Sequence, residues 1–190
     1  MRVIAVTKTF GPEAVVAARE AGLADVGENN AAELVGKAPG PEGTRWHFLG
    51  AIQRNKVRTL APLVDLWQSV SRAAEGERIV QFAPGAALLV QVEASGLPGR
   101  NGCDPDQVPL LVADLQSLGL EVRGLMTVAP PEPAGAQAAF ATVARLADQL
   151  GLPERSMGMT DDLEAAVAAG STMVRIGRAL FGARTSSGTA

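Results

Sequence analysis

The sequence predicts a (β/α)8 barrel in a single domain, and three observations support this. Eight short β-rich segments alternate with helical segments along the whole chain. Polar residues that could bind or react with a ligand, among them Lys8, directly follow several of these strands, and this is where α/β proteins bind their ligands. The length of 190 residues suits one domain. It is short for such a barrel, so an open doubly wound sheet is the main alternative.

Each predicted strand is a short run rich in aliphatic, β-branched or aromatic residues, bounded by glycine, proline or polar residues. The first run, Val3-Ile4-Ala5-Val6-Thr7, ends directly before Lys8, and the ALLVQVE run is the clearest of the set. The eight strands are expected at residues 2–7, 24–27, 46–50, 65–70, 87–93, 121–127, 155–158 and 173–176.

The predicted helices start and stop at residues with known terminal preferences. Pro12 stands at the first position of the first helix and Gly22 lies just past its end. Thr160 is predicted to cap a later helix whose first turn carries two aspartates, which suits the helix dipole. The helices are expected at residues 12–21, 30–37, 53–60, 72–82, 104–119, 134–150, 160–170 and 179–183.

Composition excludes several classes of function. The net charge is −3, so no basic field favours nucleic acid or an anionic membrane, and no apolar run approaches a membrane span. Cys103 is the only cysteine, which excludes an internal disulfide, and one histidine with one cysteine gives no support to a metal site. We expect a cytoplasmic protein with neither nucleic acid nor membrane as a partner.

Lys8 is the first candidate for chemistry. Only three of the seventeen basic residues are lysines, and this one follows a buried strand. Burial lowers the pKa of an ammonium group, whereas a guanidinium stays charged. A lysine at this position can therefore lose its proton and form a Schiff base with a carbonyl compound.

The loops after the last two strands predict a phosphate site. Gly158 and Gly177 would let the backbone approach a phosphate closely, and Ser156 or Thr160 could add a hydroxyl group. A lysine facing a phosphate site fits a phosphorylated aldehyde, and pyridoxal 5'-phosphate (PLP) is the commonest cofactor held in this way. Arg175 would lie between the two, able to face the pyridine nitrogen and keep it unprotonated.

Motifs in the same order over nearly the whole chain resemble the pyridoxal-phosphate homeostasis protein family, single-domain relatives of the alanine racemase barrel. The most specific are SMGM followed by two aspartates, and VRIG followed by FGAR. The matching motifs are VTK at 6–8, GEN at 27–29, WHFLG at 46–50, QRNK at 53–56, GLMTV at 124–128, SMGMTDD at 156–162 and MVRIGRALFGAR at 173–184.

The resemblance implies a fold-type III PLP barrel with its cofactor on Lys8. By the same resemblance, Ser156 and the backbone around Gly177 and Arg178 match the phosphate site. Arg175 matches the arginine near the pyridine nitrogen, and Asn29 of the GEN motif lies close to the cofactor.

The chain departs from the family pattern in two places. Members usually carry a helix before the first strand, whereas here the strand begins at Arg2. Either the chain starts late, or the barrel closes without that helix and leaves apolar surface that a dimer could cover. The usual SNK of the basic loop reads Arg54-Asn55-Lys56. We expect residues 1–184 to form the barrel, residues 185–190 to be a disordered tail, and the protein to be a monomer or weak homodimer.

The resemblance implies a role in PLP homeostasis and cofactor supply, with PLP-dependent apo-enzymes as recipients. A racemase of this barrel type needs a tyrosine from a second domain as its second base, and this chain has no tyrosine. The alternative is a PLP-dependent racemase or lyase that uses Lys8 as a base, with His47 as the second base in the racemase. A third hypothesis, an aldolase-type barrel acting on a phosphosugar, is disfavoured by the motifs.

Overall fold

The structure, a computed structural model, describes residues 1–182 and is a closed barrel of eight parallel strands. The strands follow chain order around the barrel, and the eighth pairs with the first. They are β1 Arg2–Val6, β2 Asp25–Glu28, β3 Arg45–Phe48, β4 Leu66–Val70, β5 Ala87–Gln91, β6 Glu121–Met126, β7 Glu154–Ser156 and β8 Met173–Ile176. The predicted barrel is confirmed, and closure excludes the open sheet.

A helix follows every strand, although a 3₁₀ turn, Pro105–Gln107, precedes the helix after β5. The helices are α1 Pro12–Glu20, α2 Ala31–Lys37, α3 Val57–Leu60, α4 Ala73–Val80, α5 Val108–Ser117, α6 Pro133–Gln149, α7 Leu163–Ala168 and α8 Arg178–Phe181. Within residues 1–182, none of these is long and apolar enough to cross a membrane.

The helices expected at residues 53–60 and 160–170 begin later than their sequence pattern suggested. The helix expected from residue 53 begins at Val57, because residues 54–56 form a turn. The helix expected after Thr160 begins at Leu163, because the loop after β7 is still turning. Thr160 is therefore not its cap. The carboxylate of Asp162 instead accepts a hydrogen bond from the Met159 amide at 2.6 Å. The predicted tail, and residues 183–184 of the predicted barrel, lie outside the described residues.

Strand residues alternate between two cores, as parallel strands in a barrel require. The larger core packs the outer face of the sheet against the helices and includes Trp67, Ile79 and Phe140. The smaller core comes from alternate positions of five strands, so it fills the barrel interior: Ile4, Leu66, Ala87, Leu89, Met126 and Met173. His47, Gln68, Ser156 and Arg175 are buried beside it. The interior therefore combines an apolar layer with polar side chains.

Gly158, in the loop after β7, is expected to tolerate no side chain. Its φ of +96° is unfavourable for other residues, and an added Cβ would lie 2.6 Å from the Cβ of Ala166. We expect Gly158→Ala to lower the free energy of unfolding by about 3 kcal/mol, measured by urea denaturation.

Gly151 is the matched control because its φ is +64° but an added Cβ would meet nothing within 4 Å. Gly151→Ala should cost about 1 kcal/mol, from backbone strain alone. Equal losses in the two variants would show that the contact with Ala166 is unimportant.

Candidate functional site

A cavity of about 1230 Å³ opens among the loops that follow the strands. This is the end of a barrel where enzymes of this architecture bind their ligands. Its walls come from residues at or after the ends of β1, β2, β3, β5, β6, β7 and β8. Five of the seven residues predicted for the site line it: Lys8, Asn29, Arg175, Gly177 and Arg178.

Lys8 lies in a tight turn just after β1 and is half-buried. The next residue, Thr9, has a φ of +69°, a rare conformation for a β-branched residue. A hydrogen bond from its amide to Glu33 Oε2, at 2.7 Å, stabilises that conformation. The Phe10 amide closes the turn onto Thr7 O at 3.1 Å. Strain of this kind is typical of functional sites, where it positions a side chain.

Behind this turn lies a buried ion pair between Lys37 of α2 and Glu28 of β2. Lys37 Nζ donates to Glu28 Oε1 at 2.6 Å, to Thr7 O at 2.8 Å and to Glu33 Oε2 at 3.2 Å. Thr7 Oγ1 also donates to Glu28 Oε1, at 2.6 Å. Burial raises the pKa of Glu28, and the hydrogen bonds from Lys37 and Thr7 offset this only in part. The ion pair therefore anchors both the strand end and the turn that carry Lys8.

Arg175, in β8, places a buried guanidinium on the cavity wall. Its Nη1 donates to Ser156 O at 2.6 Å and to Ser156 Oγ at 2.8 Å, and its Nη2 donates to Thr127 O at 2.7 Å. Burial lowers the pKa of Arg175 to about 10, and the charge of Asp162 opposes that shift. Among residues 1–182, no carboxylate forms a salt bridge with it. Within the described part of the chain, neutral oxygens accept its hydrogen bonds, so an electron-rich group in the cavity would find a strong donor.

The loops after β7 and β8 bring Gly177 and an ion pair to the same wall. A Cβ added to Gly177 would lie 3.3 Å from Val6 O, so β1 and the loop after β8 approach closely there. Arg178 forms an ion pair with Asp161, which links the loops after β7 and β8. These contacts fix the shape of the wall where a phosphate was predicted.

Ser156 and Gly158, the other two predicted residues, do not line the cavity. Ser156 is fully buried, and its hydroxyl donates to Gln68 Oε1 at 2.6 Å. The carbonyl of Gly158 accepts the Arg175 amide at 3.0 Å. Both residues support Arg175 from behind, and a direct contact with a ligand stays a prediction.

His47, considered as a second base, points into the barrel interior and does not line the cavity. Its Nε2 lies 2.9 Å from Asp25 Oδ1, and its Nδ1 lies 2.7 Å from Gln68 Nε2. Burial alone would raise the pKa of Asp25, but hydrogen bonds from His47 and Arg45 hold it well below its usual range. With both ring nitrogens engaged, His47 is not available to a substrate in the cavity.

Sequence reasoning missed Glu28, Lys37 and Gln68. A glutamine inside the apolar run Leu66-Trp67-Gln68-Ser69-Val70 was the available signal, because a buried strand rarely carries an amide without a partner. Glu28 and Lys37 gave no such signal. Their pairing depends on how α2 packs against β2.

Comparison with known proteins gives a consistent result. The model of the alanine racemase N-terminal domain family matches residues 1–185. The pyridoxal phosphate homeostasis protein of Pseudomonas aeruginosa is 42% identical over 95% of this chain and 84% of its own length.

Solved structures of PipY from Synechococcus elongatus PCC7942 are also similar. The structure without PLP has a TM-score of 0.87 at 34% identity and covers 96% of this chain and 93% of its own. The structure with PLP bound has a TM-score of 0.84 at 35% identity and covers 96% and 92%.

The ion pair behind Lys8 can be tested by removing its cation. Lys37→Met should lower the free energy of unfolding by about 3 kcal/mol, because it leaves the Glu28 carboxylate buried without a counter-charge. Thermal and urea denaturation measure the loss.

Lys56→Met is the control, since Lys56 is exposed and its replacement should change stability by less than about 0.5 kcal/mol. Adding Glu28→Gln to Lys37→Met should recover part of the loss. A double variant no more stable than Lys37→Met would contradict the assigned role of the buried carboxylate.

Proposed function

We propose a function from the premise that this chain belongs to the alanine racemase N-terminal domain family, among its pyridoxal phosphate homeostasis proteins. It binds PLP as a Schiff base on Lys8 and takes part in PLP homeostasis and cofactor supply. PLP is bound in the structure of PipY, a relative that covers nearly the whole chain.

The observation that carries this proposal is that Lys8 and Arg175 line one cavity. Arg175 pairs in register with Ile4 on the neighbouring strand, Ile4 and Val6 alternate to the same face, and Lys8 follows in the turn after β1. The cavity therefore combines an amine that can react with an aldehyde and a buried donor that can reach a ring nitrogen. PLP carries both an aldehyde and a ring nitrogen, and it supplies reversible chemistry towards amines when bound.

The phosphate of PLP fits the wall formed by the loops after β7 and β8. The first turn of α8 leaves backbone N–H groups without intrahelical partners, and no side chain within residues 1–182 caps them. We assign the phosphate to the backbone at Gly177 and Arg178, with Ser156 and Gly158 shaping this wall. Asn29, which follows β2 and lines the same cavity, contributes an amide.

An arginine in the position of Arg175 suits a protein that holds PLP better than one that uses PLP in catalysis. An arginine cannot donate a full proton to the pyridine nitrogen, so the ring is a weaker electron sink than it is beside an aspartate. The bound cofactor would then be stored in a form poorly suited to carbanion chemistry. This supports a role in which PLP is held and passed on to PLP-dependent apo-enzymes in the cytoplasm, by a monomer or weak homodimer.

Absorbance spectroscopy tests the covalent site. Purified protein mixed with PLP should give a Schiff-base band, and borohydride reduction followed by peptide mapping should place the label on Lys8. Lys8→Ala should abolish the band and weaken PLP binding by roughly 100-fold, because only polar contacts then remain.

Lys56→Ala is the control and should behave as the unaltered protein. Label on Lys56, or an unchanged band in Lys8→Ala, would remove Lys8 from the proposal. Label on Lys37 would contradict its buried ion pair as well.

A further inference from the structure

The polar side chains inside the barrel form one continuous hydrogen-bonded chain. It runs from Arg175 through Ser156, Gln68 and His47 to Asp25, with successive contacts of 2.8, 2.6, 2.7 and 2.9 Å. Arg45 Nε closes it with a contact of 2.9 Å to Asp25 Oδ1. Five strands contribute, and the chain connects the cavity to the opposite end of the barrel.

Two contacts set the direction of the hydrogen bonds. Arg175 can only donate, so Ser156 Oγ accepts from it, and the hydroxyl of Ser156 in turn donates its single proton to Gln68 Oε1. The amide of Gln68 must then present its Nε2 hydrogens to His47 Nδ1, which serves as the acceptor. The proton of His47 is left on Nε2, where it is donated to Asp25 Oδ1. One tautomer of a neutral histidine satisfies the whole chain.

Burial makes this direction costly to reverse. Gln68 and Ser156 are fully buried, and Asp25, His47 and Arg175 are nearly so. A buried polar group that loses its partner cannot turn to water, so its desolvation penalty is paid in full. A proton on His47 Nδ1 would face the Gln68 Nε2 hydrogens. The amide of Gln68 would have to rotate to remove this contact between two donors. Rotation would in turn displace the hydroxyl proton of Ser156 and disturb its contact with Arg175.

We propose that Gln68 and His47 are positioning residues for Arg175. The chain keeps the hydroxyl of Ser156 as an acceptor, and Ser156 with Thr127 then fixes the plane of the guanidinium against the cavity wall. This inference rests on the proposed function: a fixed guanidinium would present its donors to the ring of bound PLP in one orientation. The effect is reciprocal: a change at Arg175 must alter the environment of His47, although the two residues do not touch.

A spectroscopic test can be made without cofactor. It gives a single imidazole signal, because His47 is the only histidine in the protein. Protein labelled with ¹⁵N-histidine gives one imidazole, which at neutral pH should show an unprotonated Nδ1 and a protonated Nε2. Arg175→Met should shift the Nδ1 resonance of His47. Arg100→Met is the matched control, since Arg100 lines the same cavity outside the chain, and it should leave that resonance unchanged.

The opposite tautomer, or an Nδ1 signal that responds equally to both variants, would overturn the proposal. This experiment uses apo-protein, so it remains decisive if PLP binding itself fails. Failure of the proposed function would be seen separately, as no Schiff-base band in the unaltered protein.

The second test breaks the chain in its middle. Gln68→Leu removes both of its links and should weaken PLP binding about tenfold, with an altered pH titration of the bound cofactor's absorbance. Ser69→Ala is the control: the neighbouring Ser69 is also buried but donates to Gly50 O, outside the chain. It should leave binding and titration unchanged.

Loss of stability in both variants with unchanged PLP spectra would reduce the chain to a structural role and overturn the proposal. If Gln68→Leu does not fold, His47→Phe is the alternative. The phenyl ring offers no acceptor to Gln68, while Arg45 still donates to Asp25, so this variant should show the same change in titration.

Discussion

A buried positive charge without a carboxylate partner is the constraint on which the centre of this barrel depends. Arg175 sits where most barrels pack branched apolar side chains, and among residues 1–182 only two carbonyls and a hydroxyl hold it. Removing a guanidinium from water is expensive, and each of these oxygens offsets part of that cost. The polar residues of the interior follow from this need, because a hydroxyl that must accept from Arg175 needs a partner for its own proton. An apolar neighbour of Ser156 would leave that proton unsatisfied.

The neighbouring strand, β1, presents a different problem, which is to hold the turn that carries Lys8. Lys37 lies buried behind this turn, and it donates to Glu28, Glu33 and the carbonyl of Thr7. Lys8 projects from a turn that these contacts anchor. Lys37 therefore supplies a fixed charge to the scaffold, whereas Lys8 lines the cavity.

The fold was predictable because strand and helix periodicities were regular and because polar residues marked the carboxyl ends of strands. Five of seven predicted site residues line the cavity for the same reason, since residues that end neighbouring parallel strands must meet. Ser156 does not line the cavity, because it lies within β7 and its side chain points into the barrel interior. His47 and Gln68 could not be linked from sequence, because their contact depends on the register of β3 and β4. The pairing of Glu28 with Lys37 depends on helix packing, which no local pattern encodes.

The interior chain also bears on the choice between a carrier and an enzyme. Proton transfer at a cofactor needs a base that can reach the substrate and change its protonation state at low cost. His47 is committed on both ring nitrogens, and reversing its tautomer would disturb the support of Arg175. On the cavity wall, Asp161 is paired with Arg178, and Asp162 accepts the amide of Met159. These groups order the loops around the cavity. Because these described groups are committed to contacts within the protein, they favour the proposed role of retaining a cofactor over turnover of a substrate on it.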